Sequence, residues 1–436
     1  MTTVLDAAGQ FSDWDPLAQY PIDPPGARDP YPRLAECRRS KPIATRNARD
    51  EHGNIVDAFE VYRYDDVAAV MRDNTTFSSE SIRADMAPVM GEHVLVGMDE
   101  PDHKRLRSLV QFPFRPKSIA HWEDELVRPV VDGMIDRFVD RGHAELVQEF
   151  TYTYPVQVIA VILGLPHEDH LQFHQWANAI TNFAANPKTG FIAARELRAY
   201  FADVVEDRRK HPRDDIVTEI AVAEIDGERI SDEETFSFLQ LLLPAGAETT
   251  YRATGNFLFG LLSNPDQLDA IRADRSLMTQ AVEESIRWGP PLLITSRIAT
   301  KDTEIAGTPV PAGSQVIANV GSANRDETRW ERADEFDIFR ESVPMISFGV
   351  GVHMCLGMHL ARMEMRTAVN RLLDRCPSLR FDAEAIERDD VHIHGETFRS
   401  PTAIPVLFNP SGSPPQAPAP TALGRQSHTE RLASVT

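Results

Sequence analysis

The decapeptide Phe348-Gly349-Val350-Gly351-Val352-His353-Met354-Cys355-Leu356-Gly357 constrains this chain more than any other segment. It sets one cysteine among glycines on a tight loop, and Met358-His359-Leu360-Ala361-Arg362-Met363-Glu364 behind it reads as a helix. A cysteine at a helix entrance faces N–H groups that lack an intrahelical partner and the positive end of the helix dipole. Both favour thiolate over thiol. Gly349 and Gly351 let the backbone pass close to a flat ligand, and Gly357 leaves the helix face beside the sulfur clear. The N–H groups of Leu356, Gly357 and Met358 are expected to point at that sulfur and set its electron donation. A lone Cys-x-Gly would read as a structural cysteine in a turn. Six specified residues within ten make chance agreement roughly one in a million at average residue usage.

This loop resembles the signature loop of the cytochrome P450 family of haem-thiolate monooxygenases, and it matches at every specified position. The resemblance runs from about Pro21 to Phe408 and implies a mainly α fold with small β-sheets, built as one large domain around a long central helix. It further implies haem b held between that helix and the helix after Cys355, with Cys355 as the metal ligand. Phe348, Gly349, His353 and Gly357 would line the cofactor on the cysteine side.

The rest of the chain agrees with an enzyme of that class. A net charge of −21 argues against nucleic acid or an anionic membrane surface as partner. Cys37, Cys355 and Cys376 lie far apart, which is the usage of a reducing cytoplasm; Cys37 and Cys376 read as incidental. The most apolar run, Val156 to Leu165, is about half the ~20 residues needed to cross a bilayer, so a soluble, cytoplasmic protein of bacterial type is expected. Residues 1–30 read as an irregular arm, 31–409 as the haem domain and 410–436 as a disordered Ser/Pro/Ala-rich tail.

Helical periodicity dominates between those ends. The longest helix opens on the capping box Ser231-Asp232-Glu233-Glu234 and stops before Asn264-Pro265. Thirty-odd residues at ~1.5 Å each give roughly 45–50 Å, long enough to cross the molecule. Strand-like pieces are few and short: 58–62, 296–300, 313–320 and 403–408. Within the long helix, Pro244-Ala245-Gly246-Ala247-Glu248-Thr249-Thr250 is unusual for a buried segment. Pro244 cannot donate to the Gln240 carbonyl, and the Thr249 hydroxyl can bond back to the Ala245 carbonyl. By resemblance this stretch lies over the distal haem face. Ala245 and Gly246 would touch the cofactor, Thr249 would orient protons there, and Glu248 would relay them from solvent.

Two further constellations carry weight. Glu284 and Arg287 share a helix face at i,i+3, and the resemblance joins them to Arg340 in a buried network holding the Cys355 loop. His103, Arg107, Arg297 and His353 resemble the family's clamps for the two haem propionates, where charged donors are required and Arg binds bidentately.

The activity implied is insertion of one oxygen from dioxygen into a C–H or C=C bond of an apolar small molecule. Electrons would come from NAD(P)H through separate redox partners, ferredoxin and its reductase, because no flavin- or iron–sulfur-binding stretch is present. The alternatives are a peroxide-dependent peroxygenase and a haem-thiolate sensor or carrier without turnover; Glu248 and Thr249 argue against both. By family position the distal pocket is expected from residues 79–96, 177–191, 292–294 and 397–401, with Arg83 and Arg399 as possible polar anchors. Lys104, Arg105, Arg115, Lys117 and Arg362 are expected to form a basic docking patch for an acidic carrier on the cysteine face.

Overall fold

The Ser231 hydroxyl accepts from the Glu234 N–H at 3.2 Å, and the Glu234 carboxylate accepts from the Ser231 N–H at 2.9 Å. This closed box starts a 31-residue helix, Asp232–Leu262, that continues through Pro244. The computed structural model describes residues 28–49, 55–166, 169–181, 183, 186–225 and 227–410. The expected arm and tail lie outside these residues, apart from 28–30 and Pro410.

The long helix is buried on most faces because its neighbours surround it. It packs against Tyr154–Ile162, His170–Thr181, Pro187–Lys210, Met278–Trp288 and the cysteine helix Met358–Arg375. Phe238, Leu239, Leu243, Phe257 and Leu261 are almost wholly removed from solvent. Each such side chain contributes about 1.5–3 kcal/mol of hydrophobic stabilisation. The helix is the centre of the main apolar core. Asn264-Pro265 ends it as expected, with Pro265 opening the next helix, Pro265–Ala273.

The main sheet is small and mixed. Strand Ile55–Val61 pairs antiparallel with Ile43–Arg49 and parallel with Gln315–Asn319. Gln315–Asn319 pairs antiparallel with Ile294–Ala299, which carries the short edge strand Phe77–Ser78. A second core lies between this sheet and the helix Tyr64–Arg72. The strand expected over 403–408 is Pro405–Leu407, flanked by His143–Glu145 and Arg380–Phe381. No helix among the described residues is long and apolar enough to cross a membrane.

Candidate active site

Gly349 and Gly351 adopt φ of +73° and +80°, a region that side-chain-bearing residues avoid, and this bends the chain into the cysteine loop. The Cys355 N–H closes the turn on the Phe348 carbonyl at 2.7 Å. Cys355 therefore stands just ahead of the helix Met358–Arg375, its residue surface exposed although protein packs closely around it. Of the three N–H groups expected at the sulfur, that of Gly357 bonds it. Burial pushes the thiol up, while the Gly357 N–H and the charges of Arg107 and Arg362 pull it down. The thiolate expected from helix-entrance geometry is thus opposed by desolvation, and a cation at the sulfur would supply the missing charge. A Cβ built on Gly357 would meet nothing within 4 Å, so space is kept beside the sulfur.

The four basic residues gather as expected. His103 and His353 lie ring against ring, with centroids 4.2 Å apart. The His353 ring is 3.0 Å from the Ser79 hydroxyl. Arg107 donates to the Met354 carbonyl at 2.6 Å. Arg297, opposite Val316 on its strand, donates to the Ser296 carbonyl at 2.7 Å. Among the described residues, neither Arg107 nor Arg297 has a carboxylate partner, and His103 Nε2 is buried without a hydrogen bond. Burial, followed by the charges of His103, Arg297 and Arg107, pushes His353 down to about 3. His103 is also lowered by burial and its Nδ1 lies 3.2 Å from the Glu100 carboxylate, so both rings are neutral donors at pH 7 and the charge available to an anion here is that of Arg107 and Arg297.

Along the buried central helix, Leu242, Ala245, Gly246 and Thr249 keep partial exposure, forming one stripe at i, i+3, i+4 and i+7. The Thr249 hydroxyl donates to the Ala245 carbonyl at 2.8 Å. Gly246 also has a packing role. A Cβ there would sit 2.5 Å from Ile159 Cδ1, so this glycine permits close approach of the helix Tyr154–Ile162. Glu248 is buried and clamped by Arg252, which sequence reasoning missed although the i,i+4 spacing was legible.

Glu284, Arg287 and Arg340 do form one network. Arg287 binds Glu284 bidentately at 2.7 and 2.8 Å, and Arg340 Nε reaches the same carboxylate at 3.3 Å. Arg287 also donates to the carbonyls of Asn324, Ala333 and Glu335. Asn324 holds Ile346 and Ser347 just ahead of the cysteine loop, and Ser347 donates to the Ile286 carbonyl.

Two of the expected pocket segments, 292–294 and 397–401, meet, and a third, 79–96, reaches the strand Ile294–Ala299 that continues from the first. The Ser81 and Ser296 hydroxyls are 3.0 Å apart, and Leu293 N–H donates to the Thr397 carbonyl at 2.8 Å. The expected anchors are otherwise engaged. Arg83 is ion-paired with Glu80 and Glu92. Arg399 is buried and donates to the carbonyls of Gly395 and Arg28. The basic patch is likewise reduced. Arg105 pairs with Glu234, while Arg362 pairs with Glu283 and lies 4.4 Å over the Phe348 ring. Lys104, Arg115 and Lys117 remain exposed, without ion pairs among the described residues.

A thiol on a glycine-bent loop, an anion site beside it and an opened stretch of central helix are features of a haem-thiolate enzyme. The cytochrome P450 family profile matches residues 191–390. The erythromycin C-12 hydroxylase of Saccharopolyspora erythraea is 35% identical over 398 residues, covering 88% of this chain and 95% of that protein. The steroid C26-monooxygenase of Rhodococcus jostii is 34% identical over 367 residues, covering 81% and 77% respectively. The structure of the bacillaene polyketide synthase cytochrome P450 of Bacillus subtilis superposes with a TM-score of 0.80 at 29% identity, over 91% of this chain and 99% of that one. This chain belongs to the cytochrome P450 family. It is a monooxygenase of the bacterial type, and its family implies a haem-thiolate cofactor.

Proposed function

We propose that this enzyme binds haem b and hydroxylates or epoxidises an apolar small molecule. The observation that carries this reading is the gathering beside Cys355 of two arginines, Arg107 and Arg297, that have no carboxylate partner among the described residues, with two histidines held neutral between them. Two propionates are the anions that a haem would bring to His103, Arg107, Arg297 and His353. Cys355 would ligate the iron, Phe348, Gly349 and Gly357 would border the cofactor on that side, and the open space at Gly357 suits a flat macrocycle. Ala245 and Gly246 would border the opposite face, and Gly246 also lets the helix Tyr154–Ile162 approach.

When bound, the haem supplies the redox centre at which dioxygen is reduced and one oxygen atom is transferred to substrate. The protein holds and moves protons. The Thr249 hydroxyl, donating to the Ala245 carbonyl, presents its oxygen lone pairs to the distal side and can accept a hydrogen bond there. The Glu248 carboxylate, next in the chain, would receive protons from solvent and pass them to that hydroxyl through water. A direct peroxygenase or a carrier without turnover would need neither residue.

Electrons would arrive from NAD(P)H through a reductase and an acidic ferredoxin-type carrier. Exposed Lys104, Arg115 and Lys117 would attract it, with the exposed apolar side chains of Phe112 and Met354 available for contact. Relatives named as an erythromycin C-12 hydroxylase and a steroid C26-monooxygenase support a carbon-rich substrate attacked at carbon.

The decisive experiment is the ferrous-CO spectrum with NADPH-supported turnover. Wild type should show the red-shifted Soret band of thiolate ligation and Cys355→His should lose it, whereas Cys37→Ser and Cys376→Ser keep it. Thr249→Ala should bind haem and still consume NADPH, with more of the electrons released as peroxide. A retained thiolate spectrum in Cys355→His, or unchanged product per NADPH in Thr249→Ala, would overturn the corresponding assignment.

A further inference from the structure

Two adjoining cavities lead from the protein surface toward Glu248. The inner one, about 10 Å³, has room for a single water and is lined by Glu248, Tyr251, Tyr152, His174 and Asn178 among others. Its walls are largely apolar (Val156, Ala177, Pro244 and Ala247), with the polar side chains of Glu248, His174 and Asn178 among the residues that line it. The outer one, about 360 Å³, is bordered by Gln157, His170 and Leu171, of which Leu171 is 65% exposed. Val156 and His174 line both cavities, so the imidazole of His174 stands in the wall between them. Its ring is fixed against Tyr152 at 4.4 Å, and Tyr152 packs against Tyr251 at 5.0 Å.

We propose that His174 is the relay residue through which protons pass from solvent to the Glu248 carboxylate. This rests on the proton-delivery role given to Glu248 above. Burial pushes His174 down to about 4, so at neutral pH the ring holds one N–H donor and one acceptor nitrogen. A proton from solvent in the outer cavity binds the acceptor nitrogen as the opposite N–H releases its proton to the inner water beside Glu248. The ring stays neutral overall, and exchange of tautomers resets it. No other co-reactant is required.

The test uses the holoenzyme with surrogate ferredoxin and reductase and 7-ethoxycoumarin as the probe substrate. His174→Phe keeps the ring volume and removes the proton path. Gln157→Trp narrows the outer cavity from a partly exposed position and serves if His174→Phe does not fold. Each should bind the probe as wild type does, yield at least threefold less product per NADPH, and show a larger solvent isotope effect on product formation. His174→Gln, whose amide hydrogen-bonds water but cannot take up one proton while releasing another, should stay as uncoupled as His174→Phe; wild-type yield in it would overturn the relay. Independently of turnover, diethyl pyrocarbonate labelling mapped by mass spectrometry should modify His174 several-fold more slowly in Gln157→Trp. Wild-type yield in His174→Phe alongside uncoupling in Thr249→Ala, or unchanged labelling of His174 in Gln157→Trp, would overturn this route while leaving the role of Glu248 standing. Full coupling in Thr249→Ala as well would overturn that role itself.

Discussion

Arg252 places both Nε and Nη2 on one oxygen of Glu248, at 3.0 and 2.6 Å, within a single turn of the central helix. Its remaining amino group donates to the Ser400 hydroxyl at 3.0 Å, and both charged side chains are buried. Removing one member of such a pair leaves an uncompensated charge that costs about 3–5 kcal/mol. Arg252→Met should therefore destabilise the protein by about that amount in urea unfolding, and adding Glu248→Gln should recover a large part of the loss. Additive effects in the double mutant would mean that the two groups do not interact.

The Glu284–Arg287–Arg340 network ties the helix Met278–Trp288 to the chain that leads into the cysteine loop. Glu284→Ala or Arg287→Ala should forfeit about 3–5 kcal/mol, a large share of the ~5–15 kcal/mol holding a domain together. Recovery of apoprotein or aggregate is the expected outcome, read as haem per protein chain. Normal haem content in both variants would make the network dispensable.

Docking of an acidic carrier should depend on Arg115 and Lys117. Arg362 is unsuited to this test because it is engaged with Glu283, so its reversal would disturb the fold beside the cysteine loop. Reversing Arg115 and Lys117 together should slow ferredoxin-supported turnover several-fold at low salt. The difference should shrink as the Debye length falls toward ~3 Å at 1 M salt. Peroxide-driven turnover and substrate binding should be unaffected. Identical ferredoxin kinetics at low salt would place docking elsewhere.

His174 also makes a prediction about pH. Its folded value, about 4, lies below that of an exposed histidine, 6.5, because burial disfavours the charged ring. Below pH 6.5 the unfolded chain binds the extra proton and the folded chain does not, so stability falls as pH drops from 6.5 toward 4. The full effect is about 3 kcal/mol. In unfolding measured from pH 7 to pH 4, His174→Gln should lose less stability than wild type by up to that amount. Parallel pH profiles would contradict the depressed value.

The sequence alone determined much of the site because its signals are local. The cysteine loop depends on residues within one decapeptide, where positive φ demands glycine at Gly349 and Gly351. The central helix announced its start through Ser231 and Glu234, three residues apart, and its end through Pro265. Glu284 and Arg287 share a helix face whatever surrounds them. The tertiary structure decided what distant charges do, since partner choice depends on approach across tens or hundreds of residues. Arg362 faces Glu283, Arg105 faces Glu234, and Arg399 is drawn inward to the Arg28 carbonyl, so three cations expected to be available are engaged. Gly246 answers to Ile159 on another helix, and His174 becomes interesting only because packing leaves a cavity on either side of its ring. Backbone conformation and helix periodicity act over a few residues and are written in order along the chain; the pairing of buried charges and the spaces between helices are set by the packed core.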